Sequence, residues 1–175
     1  SDTGTAAAMA LCSDAEVSDS GDVTGEPTEA ALVAFAFKLG LNINRLKEKH
    51  PRLSEAPFDS QRKMMSTICA DGSGYIQYTK GAPDEILSRC SHYMKDGQEL
   101  PITEEVKSEI LSANKAMADK ALRVLAAACR RRDAVPEFDS PEEIETDLCF
   151  MGLCGMIDPV RPEVKAAIEE CRLAG

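Results

Sequence analysis

The chain has 175 residues, of which 43% are hydrophobic and 29% are charged, an ordinary composition for a globular domain. Its formal net charge of −10 disfavours a nucleic acid as partner, because binding a duplex requires clustered lysine and arginine that neutralise phosphates. No apolar run approaches the roughly 20 residues of a membrane-spanning helix, so this chain is expected to make no direct membrane contact. The seven cysteines include no CxxC pair, which favours reduced, mostly buried thiols in a cytosolic compartment over disulfides or zinc.

The first part of the chain predicts helices. Residues 1–27 give little periodic signal apart from a helical pattern at Ala6–Cys12. The stretch GEPTEAALVAFAFKLG predicts a helix that Thr28 caps and Gly40 ends, because a hydroxyl suits the start of a helix and glycine suits its end. A second short helix, INRLKEK, is predicted to end at His50–Pro51.

The middle of the chain predicts strands. RLSEAPFDS, KMMSTICA and GYIQYTK are strand-like, and DGSG between the last two is a strong hairpin turn. The later predictions, in chain order, are a helix over Asp84–Cys90, a turn at Asp96–Gly97, an amphipathic helix over Thr103–Ala121, buried strands at LRVLAAACRRR and LCFMGLCGMID, a break at Asp158–Pro162 and a helix over Glu163–Arg172.

The long helix should turn Val106, Ile110 and Leu111 toward a core, and Thr103 precedes acidic residues as a cap would. Hairpin strands between helices predict an α+β fold, a mixed α/β layer in which an antiparallel β-sheet is flanked by helices.

Lys80 stands where a strand passes into a helix, followed by Gly81, Ala82 and Pro83. Glycine allows close approach to the backbone, and proline suits the first position of a helix, whose N-terminus attracts anions. Lys80 is therefore either a solvated lysine at a turn or part of a pocket floor that a ligand contacts.

Five other side chains have two interpretations each. Phe58 is either a plug at the edge of the core or a platform for a ligand, and Lys63, like Arg62 beside it, is either an exposed strand-edge cation or a ligand contact. Glu29 either favours its own helix dipole or accepts a hydrogen bond from an exocyclic amine. Arg123 either extends from a strand end into solvent or binds phosphate.

No catalytic motif accompanies these candidates. The chain contains no Walker loop, GxGxxG or HExxH pattern, and the spacing of its serine, histidine and cysteine residues does not indicate a triad. The sequence therefore predicts a binding pocket without catalytic or metal-ligating residues.

Five stretches in this order resemble the nucleotide-binding domain of type II P-type cation-transporting ATPases, most like plasma-membrane-type or bacterial calcium pumps. They are GEPTEAAL, FDSQRKMMS, KGAPDEILSRC, LRVLAAACR and DLCFMGLCGMIDPVRPEVKAAIEECRLAG, which together span roughly residues 25–175. The resemblance implies a cytoplasmic domain of an integral membrane protein. It also implies that residues 1–157 form the nucleotide-binding domain and that residues 158–175 form a hinge and the start of an incomplete phosphorylation domain.

The resemblance assigns the ATP contacts position by position. It implies that Phe58 stacks on adenine, that Lys63 approaches the nucleotide, that Lys80 lines the pocket floor, and that Gly81 lets adenine lie against the backbone.

The remaining assignments concern the polar edge of the nucleotide. The resemblance implies that Glu29 lies near the adenine amine with Thr28 beside it, and that Arg123 reaches toward the ribose and phosphates. It places Asp158 and Arg161 at the hinge.

The chain also departs from the family pattern. These pumps transfer phosphate to the aspartate of a DKTGT motif, whereas SDTGT here lacks the lysine, so Asp2 is not expected to be that nucleophile. The TGD and GDGxND segments of the phosphorylation domain are absent from the sequence. Ser60 stands where reticulum-type animal calcium pumps have an arginine, which disfavours that branch.

The expected function is therefore that of the ATP-binding domain of a P-type cation pump, with calcium as the expected ion. The isolated domain is expected to bind ATP without hydrolysing it, and Mg²⁺ is expected to act in the complete pump. Its expected partners are ATP and the phosphorylation and actuator domains of the same parent chain. The alternative is a degenerate interaction module that keeps the fold without binding nucleotide. A free-standing phosphohydrolase is a third possibility, and the missing aspartate motif argues against it.

Overall fold

A twisted sheet between two groups of helices forms the framework of the molecule. The computed structural model describes residues 2–157 and 167–173, with side chains described for residues 4–157. Among the described residues, the helices are α1 (Asp2–Leu11), α2 (Pro27–Lys38), α3 (Ile43–Lys49), α4 (Pro83–Ser88) and α5 (Glu104–Asp119), with a short 3₁₀ turn at Pro141–Glu143.

The described strands lie between and after these helices along the chain. They are β1 (Glu16–Val17), β2 (Val23–Thr24), β3 (Arg52–Asp59), β4 (Met64–Asp71), β5 (Gly74–Gly81), β6 (Cys90–Lys95), β7 (Gln98–Pro101), β8 (Leu122–Arg132), β9 (Leu148–Ile157) and β10 (Ala167–Leu173). Strands β1 and β2 form a separate two-stranded ribbon.

The main sheet has the strand order β3-β4-β5-β8-β9-β6-β7, and β10 also pairs with β9. All its pairs are antiparallel except β6 with β9. The predicted hairpin is confirmed, since Asp71 pairs with Gly74 and Gly72 takes a φ of +62° that suits glycine. The α+β prediction, with helices beside a mostly antiparallel sheet, is likewise confirmed.

The two faces of the sheet bury separate cores. On one face, α4 and α5 pack through residues such as Ile86, Ile110 and Met117 against Phe150 and Leu153. On the other face, α1 and α2 cover apolar residues of β8 and β9, and the packed side chains are Met9, Ala31, Leu32, Ala127, Cys154 and Met156. Strands β8 and β9 read as continuous apolar runs because both of their faces are covered.

Of the two helix caps predicted from the sequence, one is confirmed and the other is wrong. Thr103 caps α5 as predicted, and its hydroxyl accepts a hydrogen bond from the Val106 amide at 3.2 Å. The prediction that Thr28 caps α2 is wrong. Pro27 takes the first helical position, so the residue before it, Glu26, is the cap and accepts from the Glu29 amide at 3.1 Å.

Two further predictions are wrong, one because of side-chain packing and the other because of strand pairing. Leu111 is 42% exposed, because it lies about 100° around α5 from Ile110, which faces the core at 4% exposed. The predicted helix over Glu163–Arg172 is wrong from residue 167 onward. There the chain forms β10, which pairs with the edge of β9 that β6 leaves uncovered, so backbone pairing overrides the local helical pattern.

Some predictions fall outside the described residues. These are the break at Asp158–Pro162, the hinge residues Asp158 and Arg161, and the start of the predicted last helix.

The cysteines whose side chains the structure describes are all buried and form no disulfide with one another, namely Cys12, Cys69, Cys90, Cys129, Cys149 and Cys154. For these six, the prediction of reduced, buried thiols is confirmed.

Candidate functional site

A cavity of about 330 Å³ lies at one end of the main sheet, where β3 and β5 end and β4 and β8 begin. The first turn of α2 forms another wall of the cavity. Its lining residues are Glu26, Thr28, Glu29, Phe58, Met65, Lys80, Gly81, Arg123 and Leu125.

Six of the seven site residues predicted from the sequence lie in this lining. Four separate elements supply them, α2, β3, β5 and β8. The seventh, Lys63, is exposed in the turn between β3 and β4, at a left-handed φ of 59°, and its side chain is not part of the lining. A role for Lys63 in ligand binding stays a prediction.

Phe58 is the most exposed large hydrophobic side chain among the described residues, at 62%. It is therefore not a plug of the core. An apolar ring that remains in water at the edge of a cavity offers one free face, which a planar ligand can cover.

Lys80 is 6% exposed, so it is not a solvated turn residue. Its ammonium donates to Glu29 Oε2 and to Ser13 Oγ, both at 2.8 Å. Glu29 Oε2 also accepts from the Asp14 amide at 2.9 Å. Because an ammonium has three donors, the two bonds leave Lys80 one hydrogen for another acceptor.

Glu29 is positioned by the same contacts. It lies in the first turn of α2, where a carboxylate interacts favourably with the helix dipole, and its side chain is 18% exposed. Both of the polar contacts described for its carboxylate are made by Oε2. The dipole interpretation therefore applies to this residue, which also lines the cavity, and its hydrogen bond to an exocyclic amine stays a prediction.

Gly81 lines the cavity, and its lack of a side chain has a packing cause. A Cβ at this position would lie 2.7 Å from Met64 Cα and would also collide with the Lys63 carbonyl. Gly81 pairs with Met64 in the sheet, and the amide of the next residue, Ala82, donates to the Lys63 carbonyl at 3.0 Å. Close approach of β4 to β5 therefore requires glycine here.

Arg123 and Thr28 complete the predicted set. Arg123 is exposed near the start of β8, on the strand face that also presents Leu125 to the cavity. Thr28 is 8% exposed and lies beside Glu29 in α2.

Sequence reasoning missed Glu26, Met65 and Leu125. Leu125 is two residues after Arg123 in the same strand, so both side chains lie on one face of the sheet. Met65 is the sheet partner of Lys80 on the neighbouring strand, so it also shares a face with a predicted residue. Glu26 could have been found from Pro27, because the residue before a helix-starting proline is the usual cap.

Arg62 also differs from its predicted place. It is 7% exposed and forms an ion pair with Glu145, whose side chain is fully buried, at 2.7 Å from Nε to Oε1. The interpretation of Arg62 as an exposed strand-edge cation is therefore wrong. Sequence gives no signal for this pair, because its members are 83 positions apart.

Cys12, the residue after α1, lies behind the cavity residue Met65. Its thiol lies 3.5 Å from the Tyr78 carbonyl and 3.7 Å from the Met65 carbonyl. Burial raises the pKa of Cys12, although the nearby charge of Lys80 opposes part of that rise. The thiol is therefore protonated at neutral pH and structural.

Comparison with known proteins identifies the family. A family model described as P-type ATPase, cytoplasmic domain N, matches residues 3–163. The chain belongs to this family. The match covers every described element that lines the cavity.

Individual relatives agree with this assignment. The chain is 42% identical over 168 residues to a calcium-transporting ATPase of Listeria monocytogenes, an alignment that covers 94% of this chain and 19% of that protein. It is 43% identical over 167 residues to calcium-transporting ATPase 1 of Bacillus cereus, covering 95% and 18%. It is 36% identical over 165 residues to the sodium/potassium-transporting ATPase subunit alpha-2 of Gallus gallus, covering 88% and 16%.

This N domain thus spans less than a fifth of the length of each of these relatives. Within its described residues, none of the helices combines the length and the apolar character that crossing a membrane requires.

Proposed function

We propose that this N domain binds ATP in the cavity and, within a longer P-type cation-transporting ATPase, presents it to a phosphorylation domain. The observation that carries the proposal is the convergence of an exposed ring, a carboxylate and two cations from four elements on one cavity. These side chains are Phe58, Glu29, Lys80 and Arg123.

The chemistry of each side chain fits one part of ATP. The free face of Phe58 suits stacking on adenine, which is worth about 1–3 kcal/mol per base in other systems. Glu29 can accept a hydrogen bond from the exocyclic amine of adenine, a group that guanine replaces with a carbonyl. The third donor of Lys80 is available to a ring nitrogen or an oxygen of the nucleotide.

The size of the cavity suits the base and sugar rather than the whole nucleotide. Its volume of about 330 Å³ is near the lower end of the range of ligand pockets, about 300–1,000 Å³. The phosphates would then extend outward past the exposed Arg123, whose guanidinium suits phosphate oxygens. A triphosphate that projects from the domain is accessible to a second domain that closes against it.

The expected affinity is modest. Two or three such contacts, after the entropy of ordering the ligand is subtracted, correspond to about −4 to −5 kcal/mol, a millimolar-to-submillimolar Kd. In the complete pump, closure of the phosphorylation domain would add contacts and bring the reacting groups together.

The role in the longer protein is proposed from the relatives. Two of them are named as calcium-transporting ATPases, so calcium is the proposed transported ion. We further propose that residues 1–157 are the nucleotide-binding domain, that residues 158–175 lead through a hinge at Asp158 and Arg161 into the phosphorylation domain, and that an actuator domain belongs to the same parent chain. The parent would be an integral membrane protein that uses Mg²⁺ with ATP.

Calorimetric titration with ATP in the presence and absence of Mg²⁺ tests the binding proposal. We expect saturable binding of similar strength in both conditions, because the cavity side chains address the base, the sugar and negative charge. GTP should bind more weakly because it lacks the adenine amine. Absence of binding at millimolar ATP would instead favour the interaction module, and loss of binding on chelation would show that the metal is a required contact.

The isolated domain is expected to bind ATP without turning it over. Phosphoryl transfer requires a nucleophile and metal-holding acids that this sequence does not contain in the family pattern. Phosphate release from purified protein should stay at the background of a Lys80→Ala variant. Steady release that the variant abolishes would contradict this expectation.

A further inference from the structure

Arg62, in the turn between β3 and β4, connects the end of β3 to the loop before β9. Its guanidinium donates from Nε to Glu145 Oε1 at 2.7 Å and from Nη2 to Glu145 Oε2 at 3.3 Å. Nη2 also donates to the carbonyls of Ala56 at 3.2 Å and Pro57 at 2.9 Å. These are the two peptide units that directly precede Phe58.

Glu145 is held in turn by its own contacts. Its side chain is fully buried, and Oε2 accepts a hydrogen bond from Ser66 Oγ at 2.6 Å. Its backbone carbonyl accepts from Arg89 at 3.4 Å. Ser66 follows the cavity residue Met65 in β4, so the carboxylate links the loop before β9 to a strand of the cavity.

The regular strand pairing is interrupted around Phe58. In the pairing of β3 with β4, Ala56 opposes Ser66 and Asp59 opposes Met64, and the register shifts between them. Pro57 and Phe58 therefore lie outside the regular ladder, and Pro57 has no amide hydrogen to donate. The ring of Phe58, at 62% exposed, is not fixed by core packing either.

We propose that Arg62 and Glu145 are positioning residues that hold the Ala56–Pro57 peptide units and thereby orient the Phe58 ring over the cavity. Both residues are buried and neither lines the cavity, so they act through Phe58 rather than on the ligand. Arginine is required for this task because one planar group reaches both a carboxylate and two carbonyls. The effect on nucleotide affinity rests on the proposed function, whereas the effect on ring orientation does not.

The first measurement needs no ligand. The chain has no tryptophan, so Phe58→Trp places a single fluorophore at the cavity edge. In this background, Arg62→Lys and Glu145→Gln should each lower the fluorescence anisotropy of the indole. The matched control is Arg132→Lys, since Arg132 bonds Gln77 and the Ile144 carbonyl in the neighbouring network without reaching Ala56 or Pro57.

Circular dichroism at the measuring temperature establishes that each variant is folded. If Arg62→Lys does not fold, Glu145→Gln and the milder Ser66→Ala, which removes one hydrogen bond of Glu145, take its place. Anisotropy in the folded variants equal to that of the Arg132→Lys control would overturn the proposal.

The second measurement is a double-mutant cycle on ATP affinity. Arg62→Lys should weaken binding by about 5-fold to 100-fold, and by no more than Phe58→Ala does. In a Phe58→Ala background the same change should have little further effect, because it acts through the missing ring. An equal loss in both backgrounds would show a general structural role and overturn the proposal. If the unaltered domain binds no ATP, the proposed function fails, and the anisotropy alone decides the role of Arg62.

Discussion

Two ion pairs near the cavity differ in how far they are buried and hydrogen-bonded within the protein. The more buried pair, Arg62 with Glu145, is called the closed pair below. The side chains of Arg62 and Glu145 are 6% and 0% exposed, and both carboxylate oxygens accept hydrogen bonds from the protein. The side chains of Lys80 and Glu29 are 7% and 18% exposed, and the contacts of the Glu29 carboxylate are concentrated on Oε2.

This difference indicates that one pair maintains the shape of the chain beside the cavity and that the other can bind a ligand. In the first pair, both oxygens of the Glu145 carboxylate accept hydrogen bonds from the protein, so this carboxylate fixes the geometry of the chain around it. A pair that borders a cavity and keeps one donor and one acceptor available can exchange hydrogen bonds with a ligand. The first pair is therefore expected to affect stability directly and binding only through Phe58, whereas the second is expected to affect both directly.

Glu145→Ala should produce the largest change and tests the closed pair. Removing the carboxylate leaves Arg62 buried without a partner, which we expect to lower the free energy of unfolding by about 3–5 kcal/mol. Urea unfolding measures the change. The exposed neighbour Glu142 provides the matched control, since Glu142→Ala should alter stability by less than about 0.5 kcal/mol. A loss from Glu145→Ala as small as the control would contradict the closed-pair description.

Lys80→Met tests the pair that borders the cavity. The charged hydrogen bonds of Lys80 to Glu29 and Ser13 predict that its loss lowers the free energy of unfolding by about 1.5–3 kcal/mol and also weakens ATP binding.

Adding Glu29→Gln to Lys80→Met separates the two effects. The second change removes the unpaired carboxylate, so thermal and urea unfolding should recover part of the stability, while calorimetry should still show weak ATP binding. Unchanged stability in the single variant would mean that the Lys80–Glu29 pair contributes nothing to the fold.

Phe58→Ala tests whether the ring that the closed pair supports serves binding. Because the ring is 62% exposed, we expect stability to change by less than about 1 kcal/mol and ATP binding to weaken by about 1–3 kcal/mol. Leu53, 49% exposed on the same strand, is the control, and Leu53→Ala should leave ATP binding unchanged. A stability loss of about 3–5 kcal/mol would instead be that of a core phenylalanine.

Ser13→Ala should have the smallest effect and refines the description of Lys80. The Ser13 hydroxyl accepts from Lys80 at 2.8 Å and donates to the Met9 carbonyl at 2.6 Å. Because Glu29 still holds the ammonium, we expect a stability loss of about 0.5–1.5 kcal/mol and a smaller effect on ATP than from Lys80→Met. The exposed Ser73 of the hairpin turn serves as control, and an effect as large as that of Lys80→Met would show that Ser13 is the principal partner.

Much of the site was predictable from neighbouring residues. The lysine before Gly-Ala-Pro and the carboxylate after Pro27 are recognisable because strand ends, helix starts and turns depend on a few adjacent residues. The same locality explains the confirmed hairpin at Asp71–Gly74 and the cap at Thr103. It also explains the error at Thr28, where the proline signal was present and the cap was assigned two residues too late.

By itself, the sequence determined the helices α2 to α5, the strands β3, β4, β5, β8 and β9, the family blocks and the residue types of the cavity, because these depend on patterns a few residues long. It did not predict the short strands β1, β2, β6 and β7. Only the tertiary structure decided which charges are buried and what they contact. The partners of Arg62 and Lys80 lie 83 and 51 positions away, and no local pattern encodes a distance of that kind. It also decided that residues 167–173 pair with β9, because an uncovered strand edge offers hydrogen bonds that a short isolated helix cannot match.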